Sequence, residues 1–291
     1  MGYTSRNGAP KATITQTVLM LVRSDIQVAS REMSLAAVEH RLSNGVIDAC
    51  QHYGAPTLIR PIKMTEQDVG QVAADASLLG AIFLGGMVKA EFARMMQASD
   101  LPFIVVGAAV TGVAMNSITA DYAAGAEEAV HHLAKQGRQR IGLVNGSSQT
   151  SSSLAKFKGY RLALALHNLA YEPNLYQEGD FSSESGYAAT IRLLNDVPEL
   201  DAILYASDEM AIGGLHALKE AGRKTPSDVA VVGYHNQTAA QFTDPPLTSV
   251  EVDLYQMGQL AAHRLHQMSQ EEPRQIYTIS VPTTLCIRQS A

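Results

Sequence analysis

Short, unbroken apolar runs recur along this chain, and most are followed by a stretch of helical period. The runs are Thr17–Val22, Gly80–Gly85, Phe103–Gly107, Arg140–Gly146, Asp201–Ser207 and Val229–Tyr234. A strand with one wet face alternates apolar and polar residues, whereas one covered on both faces does not. Between the runs, residues 121–137 place Ala126, Ala129, Val130 and Leu133 on one side and close on Gly137. Residues 207–222 offer Ser207 or Asp208 as an N-cap. They group Met210, Ile212, Leu215 and Leu218 and end at Gly222. Residues 153–169 and 185–197 behave alike. Strand and helix alternate six or seven times, which predicts an α/β fold with parallel sheets. At 291 residues the chain suits two domains or one large unit. The stretch 23–60 fits less well: 31–42 reads as an extra helical turn or two ahead of a helix over 44–54.

In open parallel sheets, ligands bind outside the carboxyl ends of the strands. Polar residues gather at such ends here. His235, Asn236, Gln237 and Thr238 follow one run, and Arg23, Ser24 and Asp25 follow the first. Asn145 and Ser207 close two others. These groups would ring one cleft.

Other function classes find little support. The net charge of -6 gives no global attraction to nucleic acid or an anionic membrane. Cys50 and Cys286 form no C-x-x-C pair, which suits reduced thiols in a cytoplasmic protein without a zinc site. No apolar run approaches the roughly 20 residues of a membrane span, and residues 1–16 hold no apolar leader. No G-x-S-x-G, no H-E-x-x-H and no G-x-G-x-x-G after the first strand occurs. The hydroxyl-rich loop 146–153 lacks the Gly-Lys-Ser/Thr ending of a phosphate loop. A non-enzyme without cofactor or metal is expected. His131 and His132 read as a solvated pair.

The chain resembles the lactose-repressor (LacI/GalR) family of bacterial transcription regulators. The resemblance lies in HHLAKQGRQRIGLVNG (131–146), FKGYRLAL (157–164), EGDFSSESGY (178–187), the run 203–234, FTDPPLTSVEVDLYQMGQLAAHRL (242–265) and VPTTLCIRQS (281–290). It implies two similar lobes of the periplasmic-binding-protein type I, each a parallel sheet flanked by helices, joined by three crossovers. These would lie near Thr119, Pro246 and Ile279. The first lobe would comprise 15–119 plus 247–279, the second 120–246 plus 280–291. Residues 1–14 would be the remnant of a helix-turn-helix head and hinge, which implies a truncated chain that does not itself read operator DNA. Gly8 and Pro10 disfavour a hinge helix there.

The resemblance also implies an effector between the lobes and a homodimer. Apolar positions of 77–96 and 254–268 are the expected dimer contacts. Carried over residue by residue, Phe181 would pack on the effector ring, and Lys156 stands where the family has arginine. Ser207 stands where asparagine is common, and His235 where an aspartate grips sugar hydroxyls. Arg23, Ser24, Asp25, Ser152 and Gln237 complete the expected effector-binding set. A sugar or sugar derivative is the expected effector, and Lys156 with His235 leans toward one bearing a carboxylate or phosphate. The alternative is a solute-binding protein of a transport system.

Overall fold

The computed structural model describes residues 16–23, 34–85, 88–110, 112–271 and 275–291. The expected remnant at 1–14, and the site candidates Ser24 and Asp25, lie outside the described residues. The first half of the chain runs β1 (Thr17–Arg23), α1 (Ser34–His52), β2 (Thr57–Ile62), α2 (Glu66–Ala73), β3 (Leu78–Leu84), α3 (Ala90–Gln97), β4 (Phe103–Val106) and β5 (Ser117–Ala120). It continues with α4 (Tyr122–Lys135), β6 (Ile141–Asn145), α5 (Ser151–Leu166), β7 (Tyr176–Glu178), α6 (Ser183–Asp196), β8 (Ala202–Tyr205), α7 (Asp208–Glu220) and β9 (Ala230–Tyr234). Last come β10 (Thr248–Val252), α8 (Leu254–Met268), β11 (Thr278–Val281) and β12 (Thr283–Cys286).

The strands form two six-stranded sheets, ordered β11-β5-β4-β3-β1-β2 and β12-β10-β9-β8-β6-β7. Every pairing is parallel except β10 with β12. Read from β1 and from β6, the two orders are the same doubly wound pattern. The continuously apolar runs are the central strands: β4, β6, β8 and β9 are buried throughout.

Three details depart from the sequence reading. Residues 34–52 do not divide into two helical pieces, because one helix runs from Ser34 to His52 straight through Gly45. Strand β2 escaped notice because it is an edge strand that leaves Leu58 and Ile59 exposed and carries Pro61. The second crossing does not fall near Pro246, since β10 pairs with β9 and β12 in the second sheet. The chain returns to the first sheet's side only at Asp253, where α8 packs on α1 and on β3, β4 and β5.

Asp121 and Asp253 each follow a crossing and cap the next helix, accepting from the Ala124 and Gln256 amides. The first and third crossings lie side by side: the Asp121 amide donates to Val281, and Thr283 Oγ1 donates to the Asp121 carbonyl.

The α1–α8 contact is close because a glycine stands on each side. A Cβ on Gly258 would meet the Leu42 carbonyl at 2.1 Å, and one on Gly45 the Tyr255 carbonyl at 2.0 Å. Around this contact Leu254, Met257, Ala261, Ala262, Leu265 and Met268 are buried. The buried apolar positions of 254–268 are therefore covered by α1 and the first sheet rather than open to a partner, while Tyr255 stays exposed. The same holds for Phe92, Ala93 and Met96 in the stretch 77–96, which are buried in α3. Gly258→Ala should destabilise the chain by about 1–3 kcal/mol, since backbone cannot yield as a side chain does. Gly70→Ala, at an exposed α2 position with nothing within 4 Å, should gain about 0.5–1 kcal/mol. Urea unfolding of the two variants beside the parent chain reads both signs.

Candidate functional site

The carboxyl edges of the two sheets face one another. Beyond β4, the Ala109 amide donates to Ser151 Oγ in the first turn of α5 at 3.2 Å. From α1, Arg41 donates through Nη1 to the His235 carbonyl at 3.4 Å and through Nη2 to Glu251 Oε1 at 3.0 Å. These contacts bridge the elements that flank the two sheets. The second sheet reverses its strand order between β6 and β8, the usual seat of a ligand in an open parallel sheet.

The loop after β6 and its helix begin this wall. Thr150 caps α5 by accepting the Ser153 amide, and its hydroxyl lies 3.0 Å from the Ser147 carbonyl and 2.7 Å from Ser153 Oγ. Ser152 is half-buried, and its hydroxyl lies 3.4 Å from Thr150 Oγ1. One turn on, Lys156 is 1% exposed, unlike an ordinary solvated helix lysine. Its Nζ stands 4.8 Å from the centroid of the Tyr122 ring and 4.4 Å from that of Tyr234. No carboxylate or hydrogen-bond acceptor among the described residues meets it. Burial brings its pKa down to about 7.

Phe181 closes another side. Its backbone is left-handed, with φ 71°, just before the cap Ser182 of α6. This turns the ring onto the loop after β6, where a Cβ on Gly146 would meet it at 1.9 Å. The ring is half-buried, with its inner part packed on the β6–β8 core.

Beyond β9 the chain makes a tight polar turn, with His235 at φ 89° and Asn236 at φ 44°. The His235 amide donates to Val250 at 2.7 Å, and its Nδ1 is buried without a hydrogen-bond partner. Burial, then the positive Lys156 and Arg41, hold its pKa well below the ordinary imidazole value. Asn236 donates to Glu251 and accepts from Arg288 at 2.6 Å. The Gln237 side that the turn uses is its amide, which donates to Asp208 Oδ2 at 2.6 Å.

Asp208 is where the wall differs most from the sequence reading. Ser207, buried, is the N-cap of α7 and accepts the Met210 amide. Asp208 does not cap. Its carboxylate accepts from Gln237 and from Ser249 Oγ at 2.5 Å, tying the start of α7 to the turn and to β10. Burial raises its pKa to about 7 against the opposing pull of these bonds. A Cβ on Gly233 would meet Asp208 Oδ1 at 2.2 Å. That glycine, visible in the run VAVVGY, was the available signal. Arg41, Glu251 and Tyr122 carried none, because each comes from an element distant in sequence from the turn after β9. Arg23, at the carboxyl end of β1, belongs to the opposite sheet. Among the described residues no cluster of His, Cys, Asp and Glu is placed to hold a metal ion, and no helix is long and apolar enough to cross a membrane. His131 is not simply solvated: its Nδ1 lies 2.7 Å from His167 Nε2.

The model for the periplasmic binding protein-like domain matches residues 130–291. The chain belongs to that family. Its relatives there are transcription regulators of the LacI type. The HTH-type transcriptional regulator CelR of Thermobifida fusca is 32% identical over 199 residues, 68% of this chain and 58% of CelR. Catabolite control protein A of Priestia megaterium is 30% identical over 212 residues, 72% of this chain and 64% of its own length. The chain thus spans less than two thirds of each. Among solved structures, a CelR–cellobiose complex superposes with a TM-score of 0.86 at 27% identity, covering 95% of this chain and 86% of that one. A LacI-family regulatory protein from Chloroflexus aggregans shares the fold with a TM-score of 0.83 at 21% identity.

The buried lysine has a measurable signature. The folded chain holds the Lys156 proton less tightly than the unfolded chain, so unfolding takes up a proton between about pH 7 and 10.5. Stability contributed at this residue should therefore rise with pH across that window and level off above it. Denaturant unfolding at several pH values should show the rise in the parent chain and a flatter profile in Lys156→Met.

Proposed function

We propose that this chain is the effector-sensing and dimerising core of a LacI-type bacterial transcription regulator, working in the cytoplasm. A small molecule, a sugar or sugar derivative, binds between the two sheets and favours one lobe arrangement. A homodimer transmits that shift to operator DNA through a helix-turn-helix head that the matched stretch does not include. The observation that carries this reading is the pair of opposed carboxyl edges, with the tip of the Phe181 ring set against Gly146 beside polar side chains. An aromatic face beside convergent hydroxyl, amide and basic groups suits a pyranose ring.

The CelR relative is named for a complex with cellobiose, so that sugar is the first to test. The effector set on this reading is Arg23, Ser24, Asp25, Ser152, Lys156, Phe181 and His235, with Ser207 and Gln237 supporting the wall from behind. The lobes divide at Asp121, Asp253 and Pro282. Reversible closure of such lobes is a known switching device.

Isothermal titration with cellobiose and a panel of related sugars should find one ligand with a one-to-one stoichiometry per chain. At 100 times its dissociation constant that ligand should add about 2.7 kcal/mol of stability. Phe181→Ala should weaken it about tenfold or more through loss of the ring contact. A chain that sediments as a monomer, whatever sugar is present, would favour the solute-binding reading instead.

A further inference from the structure

Two polar groups beyond the strand ends have no hydrogen-bond partner among the described residues. Lys156 Nζ stands over two ring faces and meets no acceptor among the described residues, and His235 Nδ1 is buried with no hydrogen-bond partner among them. They are neighbours: both lie against the Tyr234 ring, His235 with its centroid 5.5 Å away. Other elements around them add positive charge or acids already engaged. From α1, Arg41 reaches the His235 carbonyl. From β10, Glu251 is held by Arg41 and Asn236. From α7, Asp208 is held by Ser249 and Gln237. From α4, Tyr122 offers a ring face, and the Tyr234 hydroxyl donates away to the Tyr122 carbonyl.

Ring faces alone do not balance this arrangement. A cation over an aromatic ring gains on the order of 0.5–2 kcal/mol. Burying an unpaired ammonium costs several kcal/mol. A ligand hydroxyl would satisfy one hydrogen bond at the neutral amine but could not hold both groups in their charged forms.

We infer that the effector carries an acidic group, a carboxylate or a phosphate, that seats between Lys156 Nζ and His235 Nδ1. This rests on the proposed effector cleft and specifies its ligand class. Without the anion, burial favours the neutral amine and the neutral imidazole. With it, the charged forms regain a partner, so binding draws protons from solvent. A neutral sugar offers no such exchange.

The test uses the chain as it is, at pH 7.5, with matched probes: cellobiose against cellobionate, and glucose against glucuronate and glucose 6-phosphate. Titration calorimetry in Tris and in imidazole, two cationic buffers with different ionisation enthalpies, reads affinity and proton uptake together. The acid of a pair should bind at least about tenfold tighter than its neutral partner, with net proton uptake. The carboxylate and phosphate arms distinguish the two sources of charge. Lys156→Met should abolish both the preference and the uptake. His235→Asp places a carboxylate beside Lys156 and should reverse the preference toward the neutral sugar.

A neutral sugar that binds as tightly as its acid would sink the inference and leave the effector reading standing. So would an acid preference that survives Lys156→Met. If no probe sugar binds, inorganic phosphate decides. It should shift the His235 ring resonances in a nitrogen-edited NMR titration, and unmoved resonances overturn the acidic-group inference whatever the fate of the effector reading.

Discussion

Three short crossings between two sheets govern the rest of this molecule. The sheets share no strand, so their relation depends on the residues around Asp121, Asp253 and Pro282. Two of these crossings are hydrogen-bonded to each other through the Asp121 amide and carbonyl. Two of them run at once into helix caps made by the same aspartates. The junction therefore has capped helix starts and paired backbones rather than free chain. It also fixes which strand edges oppose each other, and so where a ligand can lie.

The cleft wall is made from polar groups that other elements hold in place. Asp208 joins α7, the turn after β9, and β10 through two short bonds. Arg41, Glu251, Asn236 and Arg288 form a second line of contacts from α1 to the C-terminal tail. A buried polar network costs little when each member is satisfied and much when one is not. Most of these groups are satisfied. Lys156 Nζ and His235 Nδ1 stand out because they have no hydrogen-bond partner among the described residues.

Much of the fold was legible in the linear pattern. The continuously apolar runs became the central strands, because a strand covered on both faces has no wet side to record. Elements that failed to show did so for physical reasons. Strand β2 is an edge with one open face and a proline. Helix α1 runs through Gly45, which reads as a break but serves as the close-contact point with α8. The apolar positions of α8 look available for a partner in sequence, yet α1 takes them first. The resemblance put the second crossing near Pro246, but the following residues still make a strand of the second sheet.

The sequence by itself determined the doubly wound class, the positions of most strands and the polar residues at their carboxyl ends. It also carried the resemblance that placed Lys156, Phe181 and His235 at equivalent points of a known fold. These properties are local: period, caps and turn residues are written in neighbours a few positions apart. Only the tertiary structure decided which side chains share an environment. Lys156 lies 34 residues from Tyr122 and 78 from Tyr234 in the chain, and only packing encloses it between their rings. Arg41 meets Glu251 across 210 residues. Burial and pairing are properties of the assembled interior, so the charge state of this cleft had no counterpart in the linear pattern.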